Sequence, residues 1–415
     1  MPANLPSHDA IDWGIVTIFT IVYVGMFLGG LPRLKLDRSG VALLGAIGVI
    51  GIGAMNTAQA AQTVDLPTVL LLFAFMVVSA QMRLGGFYTA VTRRVVELPL
   101  SSNGLLGALL GVAAALSAVF SNDIVCLAMT PVVARICLQR GFNPLPFLIG
   151  LACAANIGSA ATLIGNPQNM LIGSTMQLPF SAYSRYALFP VVMSLIALWA
   201  GLAWTQRTKH VTQPVAQAAG LTPDNAPSFD RWQTMKGLTV ATALMVIFLF
   251  TDWPREVAAL VGAGVLLLSR RFHSSHVMGF IDWELLVLFI GLFVVNHAFD
   301  STGLAAQAVG WFAAQGVILA DPGPLFVVGL ALSNLVSNVP AVMLLMPHLS
   351  GFEAGMMLAL VSTFAGNLLL VGSIANLIVV DLAKKHGIDI GWREHARVGV
   401  PVTLTTLAIV WVWLV

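Results

Sequence analysis

From Ile15 to Leu31 the chain reads IVTIFTIVYVGMFLGGL without one charged side chain, and runs of this kind recur to its end. A bilayer's hydrocarbon core takes roughly 20 apolar residues per helix. The runs therefore read as membrane-spanning helices. Composition agrees: 58% of the 415 residues are hydrophobic and 9% are charged, against roughly 25% charged in a soluble domain. A net charge of +2 offers no footprint for nucleic acid. Cys126, Cys137 and Cys153 all sit in apolar surroundings and form no disulfide or metal framework. Asp9 and Asp12, and no basic segment, precede the first apolar run, so no cleavable signal peptide is expected.

The chain repeats itself. Residues 115–131 read ALSAVFSNDIVCLAMTP, and residues 331–347 read ALSNLVSNVPAVMLLMP. Shifted by 216 positions they share Ala115/Ala331, Leu116/Leu332, Ser117/Ser333, Ser121/Ser337, Asn122/Asn338 and Pro131/Pro347. The same shift pairs GVALLGAIGV from Gly40 with EVAALVGAGV from Glu256. A shift of 217 pairs DLPTVLLLF from Asp65 with DWELLVLFI from Asp282, and one of 207 pairs GNPQNMLI from Gly165 with GSIANLIV from Gly372. The expected organisation is one repeat over 1–210 and a second over 235–415. A polar, proline-containing cytoplasmic linker over 211–234 joins them.

Each repeat is expected to cross the membrane five times. The crossings fall at about 12–30, 40–56, 66–82, 145–173 and 185–204, then at about 236–252, 255–270, 282–298, 352–380 and 398–415. The leftover segments, about 103–140 and 318–348, are apolar but interrupted at Ser-Asn, and read as re-entrant hairpins. Broken backbone at membrane depth is tolerated only where protein or a water-filled cavity surrounds it. With the N-terminus outside, 18 of the 20 Lys and Arg fall on one side and only Arg185 and Arg255 on the other, as the excess of positive charge in cytoplasmic loops requires. Both termini are then outside. Five is odd, so the second repeat enters upside down, and inverted repeats with broken helices mark secondary transporters. Segments 87–98 and about 303–315 look amphipathic and suit the interfaces.

Inverted symmetry brings the two hairpin tips together near mid-membrane. Ser121 and Asn122 at one tip, and Ser337 and Asn338 at the other, are the expected substrate-binding residues. Ser and Asn are also good helix N-caps, so each returning arm should point its free N–H groups and positive dipole end into the cavity. Two further breaks fall in ANIGSAATLIGNPQNMLIG (155–173) and FAGNLLLVGSIANLIV (364–379). Pro167 breaks the first. Asn156, Thr162, Asn166, Asn169, Asn367, Ser373 and Asn376 are polar there, and freed carbonyls with such side chains suit a coupling cation. Asp123 has Val339 as its repeat partner. A lone carboxylate inside the membrane is costly and reads as functional, so Asp123 is the expected coupling residue for a proton or sodium ion. The chain carries no GxSxG, HExxH or paired membrane Asp. No catalytic residue, bound metal or resident cofactor is expected, and the reading is a transporter and not an enzyme.

FSNDIVCLAMTPVV, followed by ANIGSAATLIGNPQNMLIG, resembles the ion transporter superfamily. It includes arsenite/antimonite permeases of the ArsB type, NhaD-type sodium/proton antiporters, divalent anion:sodium symporters and citrate transporter-like proteins. The resemblance spans nearly the whole chain. It implies an all-α polytopic fold of two inverted repeats with opposed hairpins, a homodimer, and elevator-type movement in a bacterial inner membrane. In the dicarboxylate branch both tips carry Ser-Asn-Thr. Here Asp123 and Val339 replace the threonines, and an Asn-Asp tip is more similar to the ArsB branch. The implied function is ion-coupled transport of a small oxyanion, of the arsenite/antimonite kind, with sodium/proton antiport or sodium-coupled di- or tricarboxylate symport as alternatives. The chain carries no nucleotide-binding motif, which leaves a separate ATPase subunit open as a partner.

Overall fold

The computed structural model describes residues 8–31, 34–207, 229–269, 271 and 273–415; these are helical with short connections and contain no strand. Most of the linker, 211–228, and the basic residues Arg33, Lys209 and Arg270 lie outside the described residues.

Four early helices, α1 (His8–Leu28), α2 (Arg38–Gly51), α3 (Thr57–Thr63) and α4 (Leu66–Leu84), precede a short amphipathic α5 (Phe87–Val96). The expected crossing at 40–56 ends early at Gly51, where Gly53 takes φ 76° and the Ala54 N–H donates to Val49 O, and Asn56 then starts α3 with a capping box to Gln59. Next come α6 (Ser102–Val119) and α7 (Asn122–Gln139), then α8 (Pro144–Ser159), α9 (Pro167–Thr175) and α10 (Phe180–Arg207). The second half follows the same order. It comprises α11 (Arg231–Phe250), α12 (Arg255–Leu267), α13 (Ser274–Met278), α14 (Trp283–Ser301), α15 (Leu304–Ala314), α16 (Pro322–Val336), α17 (Asn338–Leu345), α18 (Phe352–Ala365), α19 (Ile374–Lys385) and α20 (Trp392–Leu414). The segments expected to cross at 145–173 and 352–380 are each two helices with an irregular stretch between them.

Contacts between helix termini define two ends of the bundle. At one, the Asp230 N–H donates to Gly85 O, Lys236 Nζ donates to the Leu266 and Leu268 carbonyls, and Arg83 lies 4.7 Å over the Phe280 ring. The end of α4, the start of α11, the end of α12 and the approach to α14 thus meet there. At the other end, Ser174 and Thr175 donate to Asp65, and Arg255 donates to the Gly173 and Leu178 carbonyls. The starts of α4, α12 and α10 and the end of α9 meet there. The first end holds the arginines of α5, of the end of α7 and of the start of α20, with the two lysines that end α19; we call it the basic end.

These contacts fix helix directions. α4 runs toward the basic end, and α14, its partner at shift 217, runs away from it. α2 lies along α14 in the same direction, with Gly45 against Val295 and Gly291 against Ala42. α12 packs on α4 as α2 packs on α14. α10 and α20 lie antiparallel, with Trp413 Nε1 donating to Tyr186 O across 3.1 Å.

The two interrupted segments return to the end they left. Trp199 Nε1, near the end of α10, donates to Asn103 O at the start of α6. α7 ends just before α8, which starts at that same basic end. Phe326 on Trp411 and Phe352 on Tyr186 place the starts of α16 and α18 at the opposite end. α17 and the 3-10 turn Met346–His348 lead straight back into α18. The arms differ in length: 18 residues for α6 and for α7, but 8 for α17.

The two broken crossings form the centre. Every residue from Phe147 to Ser159, from Pro167 to Gly173 and from Gly355 to Ala365 is buried, and a helix buried all round belongs inside a bundle. α6 reaches α8 through small residues: a Cβ on Gly158 would stand 2.3 Å from Ala114 Cα, the close approach that small residues allow between membrane helices.

Candidate functional site

Asn156 is the hub of the site. It lies one turn before the end of α8, 2% exposed. Its Oδ1 accepts from Asn122 Nδ2 at 2.9 Å and from Ser373 Oγ at 3.1 Å. Its Nδ2 donates to Asn367 Oδ1 at 2.9 Å and to Asn376 Oδ1 at 3.4 Å. One α8 side chain thus ties the tip of the first hairpin to the α18–α19 break of the other half. Asn376 Nδ2 turns back to satisfy the Gly366 and Leu369 carbonyls, which the break leaves without helical partners.

The reciprocal arrangement holds the other break. Thr363, on α18, takes Asn166 Nδ2 at 3.3 Å and Gln168 Nε2 at 3.2 Å, and donates to Asn169 Oδ1 at 3.4 Å. The shift of 207 that pairs Gly165 with Gly372 also pairs Asn156 with Thr363, Asn166 with Ser373 and Asn169 with Asn376. Asn156–Ser373 and Asn156–Asn376 on one side are therefore matched by Thr363–Asn166 and Thr363–Asn169 on the other. Asn166 also donates to Ser159 Oγ and caps α9 by accepting from the Asn169 N–H. Asn169 donates to Tyr183 OH at 3.0 Å, and that hydroxyl donates to Ala160 O at 2.9 Å. Thr162 Oγ1 donates to Ala118 O, fastening this break to the end of α6.

The expected serine side-chain caps do not form at the tips. Neither Ser121 nor Ser337 makes a capping hydrogen bond with its side chain. The Asn122 N–H instead donates to Gly165 O. Ser337 sits at φ 78°, a conformation uncommon outside glycine and often met at functional sites. Asn338 lies against Gly366, where a Cβ would come 3.0 Å from its Nδ2. Asn122, Asn156, Asn367 and Asn338 thus form a row of amides from one tip to the other. Asp123 is half-buried in the first turn of α7, outside that row, and makes no hydrogen bond or ion pair among the described residues. At the second tip, Tyr23 OH donates to Asn296 Oδ1 at 2.8 Å and lies 3.5 Å from Pro340 O, linking α1 and α14 to α17.

Three buried amide atoms in this row, Asn122 Oδ1, Asn338 Oδ1 and Asn367 Nδ2, have no hydrogen-bond partner among the described residues. Buried polar atoms are seldom left unpaired, so two acceptors and one donor remain open to a ligand. Apart from His395, whose buried Nε2 lies 3.1 Å from the Asn367 carbonyl, the side chains bonded into the network are amides or hydroxyls.

Thr363, Ser159 and Tyr183 join the network without having been expected there. Thr363 was open to discovery, since adding 207 to Asn156 reaches it, but the two letters differ. Tyr183 carries its hydroxyl on an apolar ring and leaves no trace in a hydropathy pattern.

The chain's relatives agree with this architecture. It is 28% identical to a silicon efflux transporter of Oryza sativa subsp. japonica over 94% of this chain and 95% of that one. It is 22% identical to a putative arsB transporter of Dictyostelium discoideum over 95% and 90%. The crystal structure of the Alcanivorax borkumensis YdaH transporter, described as having an unusual topology, superposes with a TM-score of 0.55 at 16% identity, covering 98% of this chain and 97% of that one. That likeness concerns the fold alone. Residues 15–361 match the family model described as a citrate transporter, CitMHS. With that match over most of its length and with transporters as its relatives, this chain is a secondary transporter and belongs to the CitMHS citrate transporter family.

Proposed function

We propose that this transporter moves a small, uncharged, hydroxylated metalloid acid, arsenous or antimonous acid, against its gradient at the expense of a proton or sodium gradient. The two unpartnered acceptors at the tips, Asn122 Oδ1 and Asn338 Oδ1, carry the reading. A molecule that presents several O–H donors satisfies them, and Asn367 Nδ2 serves its oxygens in return. A carboxylate has no O–H to give and would leave both acceptors facing an anion, at the cost of buried groups without partners. The silicon efflux relative supports the same chemistry, because silicic acid is also a neutral hydroxide.

Ser121, Asn122, Ser337 and Asn338 contact substrate in this reading. Asn156, Asn166, Asn169, Asn367, Ser373 and Asn376 hold the breaks in the shape the coupling ion needs, with Thr162 anchoring the first. Asp123 gains and loses the cation. Sodium-coupled carboxylate symport is the second reading. One observation favours it: the returning arms α7 and α17 both begin at the tips, and helix N-termini attract anions. Flux in proteoliposomes with imposed proton or sodium gradients, using arsenite, antimonite, silicic acid and citrate, separates the two. Gradient-driven movement of arsenite or antimonite is expected. Accumulation of citrate alone would overturn the first reading in favour of the second.

The opposed directions of α4 and α14, and of α2 and α12, support an inverted repeat. We propose that the basic end faces the cytoplasm of a bacterial cell, with both termini outside. An impermeant thiol reagent applied to intact cells should then label a cysteine placed at Gly316 and spare one at Gly387.

A further inference from the structure

His395 brings an imidazole to the central network. It sits one turn into α20, 2% exposed, and its Nε2 lies 3.1 Å from Asn367 O. A carbonyl can only accept, so Nε2 carries a proton and donates. Gly399, one turn further on, makes the approach possible: a Cβ there would stand 2.4 Å from Asn367 O and 2.9 Å from His395 Nε2. α20 therefore meets the α18–α19 break through bare backbone and one ring.

The contact falls on the residue with the open amide. The Asn367 N–H donates to Phe364 O, its carbonyl accepts from His395, and its Oδ1 accepts from Asn156. Nδ2 is left without a partner among the described residues. With the other three groups tied, the amide has little freedom to turn, and Nδ2 is held ready for a ligand.

The first half fixes its break at the same place by other means. The shift of 207 pairs Asn367 with Ala160 and Phe364 with Ile157. The Ala160 N–H donates to Ile157 O, and Ala160 O accepts from Tyr183 OH at 2.9 Å. In each half the last helix, α10 or α20, thus sends one side chain to the same carbonyl of the break. A buried histidine that had merely found a partner would not be expected to meet the repeat-equivalent atom. Ala160 has no amide to present, so only the second break uses this support to aim a donor.

We propose that His395 is a positioning residue for the transported solute: by donating to Asn367 O it holds the Asn367 amide in the orientation that offers Nδ2 to the ligand. This rests on the reading in which Asn367 Nδ2 serves the solute.

Full-length variants are reconstituted in proteoliposomes, and saturation of gradient-driven arsenite flux gives KM and Vmax, with unfolding in detergent as a check on the fold. His395→Phe keeps a flat ring and removes the donor. It should raise KM about 3- to 10-fold, the worth of one hydrogen bond, and change Vmax less. His395→Gln carries an N–H the same number of bonds from Cβ and should return KM close to the parental value. Gly399→Ala leaves the imidazole in place but presses a methyl on Asn367 O, and should raise KM as His395→Phe does. Because His395 acts through Asn367, adding His395→Phe to Asn367→Ala should raise KM no further. Parental KM in both His395→Phe and Gly399→Ala, no rescue by Gln, or multiplying effects in the double variant would overturn the proposal. A raised KM in Asn367→Ala beside a parental one in His395→Phe removes the role of His395 and leaves the site reading standing. Parental KM in Asn367→Ala overturns both. If the parent moves citrate and not arsenite, the same cycle is read with citrate and tests His395 unchanged.

Discussion

Replacing Asn156 by Ala tests the hub directly. Three of its bonds are short, to Asn122, Ser373 and Asn367 at 2.9, 3.1 and 2.9 Å. Hydrogen bonds between membrane helices average about 0.6 kcal/mol, which puts the loss near 2 kcal/mol. Were all three partners left dry and unpaired, each would cost about 1–3 kcal/mol, and the total would reach ~3–9 kcal/mol. Ala leaves room in a polar site, and a water entering it repairs part of the loss. The expected cost is therefore about 2–4 kcal/mol, within the roughly 5–15 kcal/mol that holds a typical protein folded. Flux should fall about 30- to 700-fold if that energy is what keeps the tip in its binding shape. The assay is a cycle of Asn156→Ala, Asn122→Ala and the double variant, read by unfolding in detergent and by flux. The shared bond predicts a coupling of about 0.5–1.5 kcal/mol. Additivity to within roughly 0.3–0.5 kcal/mol, or near-normal flux in Asn156→Ala, would refute the hub.

Thr363→Val keeps the shape and removes the hydroxyl, which strands Gln168 Nε2. It should cost about 1–3 kcal/mol and lower flux as Asn156→Ala does, measured in the same assays. Asn338→Ala should abolish flux in protein that still folds, checked by unchanged elution on size exclusion. Asp123→Asn should still bind substrate but lose gradient-driven accumulation. Uptake with and without the gradient checks this, and a variant that keeps its gradient and pH dependence would reduce Asp123 to a helix-start residue.

Several parts of this fold can be read from the letters because the two halves spell them alike. Ser121-Asn122 and Ser337-Asn338 mark both tips, and Gly165 and Gly372 mark both breaks. Helix ends are less legible. The 40–56 run looks like one crossing by hydropathy, yet the turn at Gly53 ends the helix at Gly51 and Asn56 starts the next one, and a local backbone turn is invisible to an apolar count. The Ser caps expected at the tips fail for the converse reason: the Asn122 N–H finds Gly165 O, a partner 43 positions away, and no local rule anticipates it. The hub is half legible. Asn156 stands out as an amide in an apolar run, whereas Thr363 looks like an ordinary helix residue until the partner's break is placed beside it.

The exchange of partners between halves bears on how the protein is made. Asn166 and Asn169 enter the membrane with the first half, but Thr363 lies 197 and 194 residues further on, and Asn156 waits 211 residues for Asn367. At about 5–20 residues per second, the first break spends about 10–40 s in the bilayer before Thr363 exists, with Asn166 and Asn169 held only by groups of the first half. During that interval the nascent half must shelter them with water, with Tyr183, or with the insertion machinery. A ribosome stalled between the halves therefore releases a product whose core is polar and open, a substrate for membrane proteases. Quality control of this chain is accordingly concentrated in the time between residues 169 and 376.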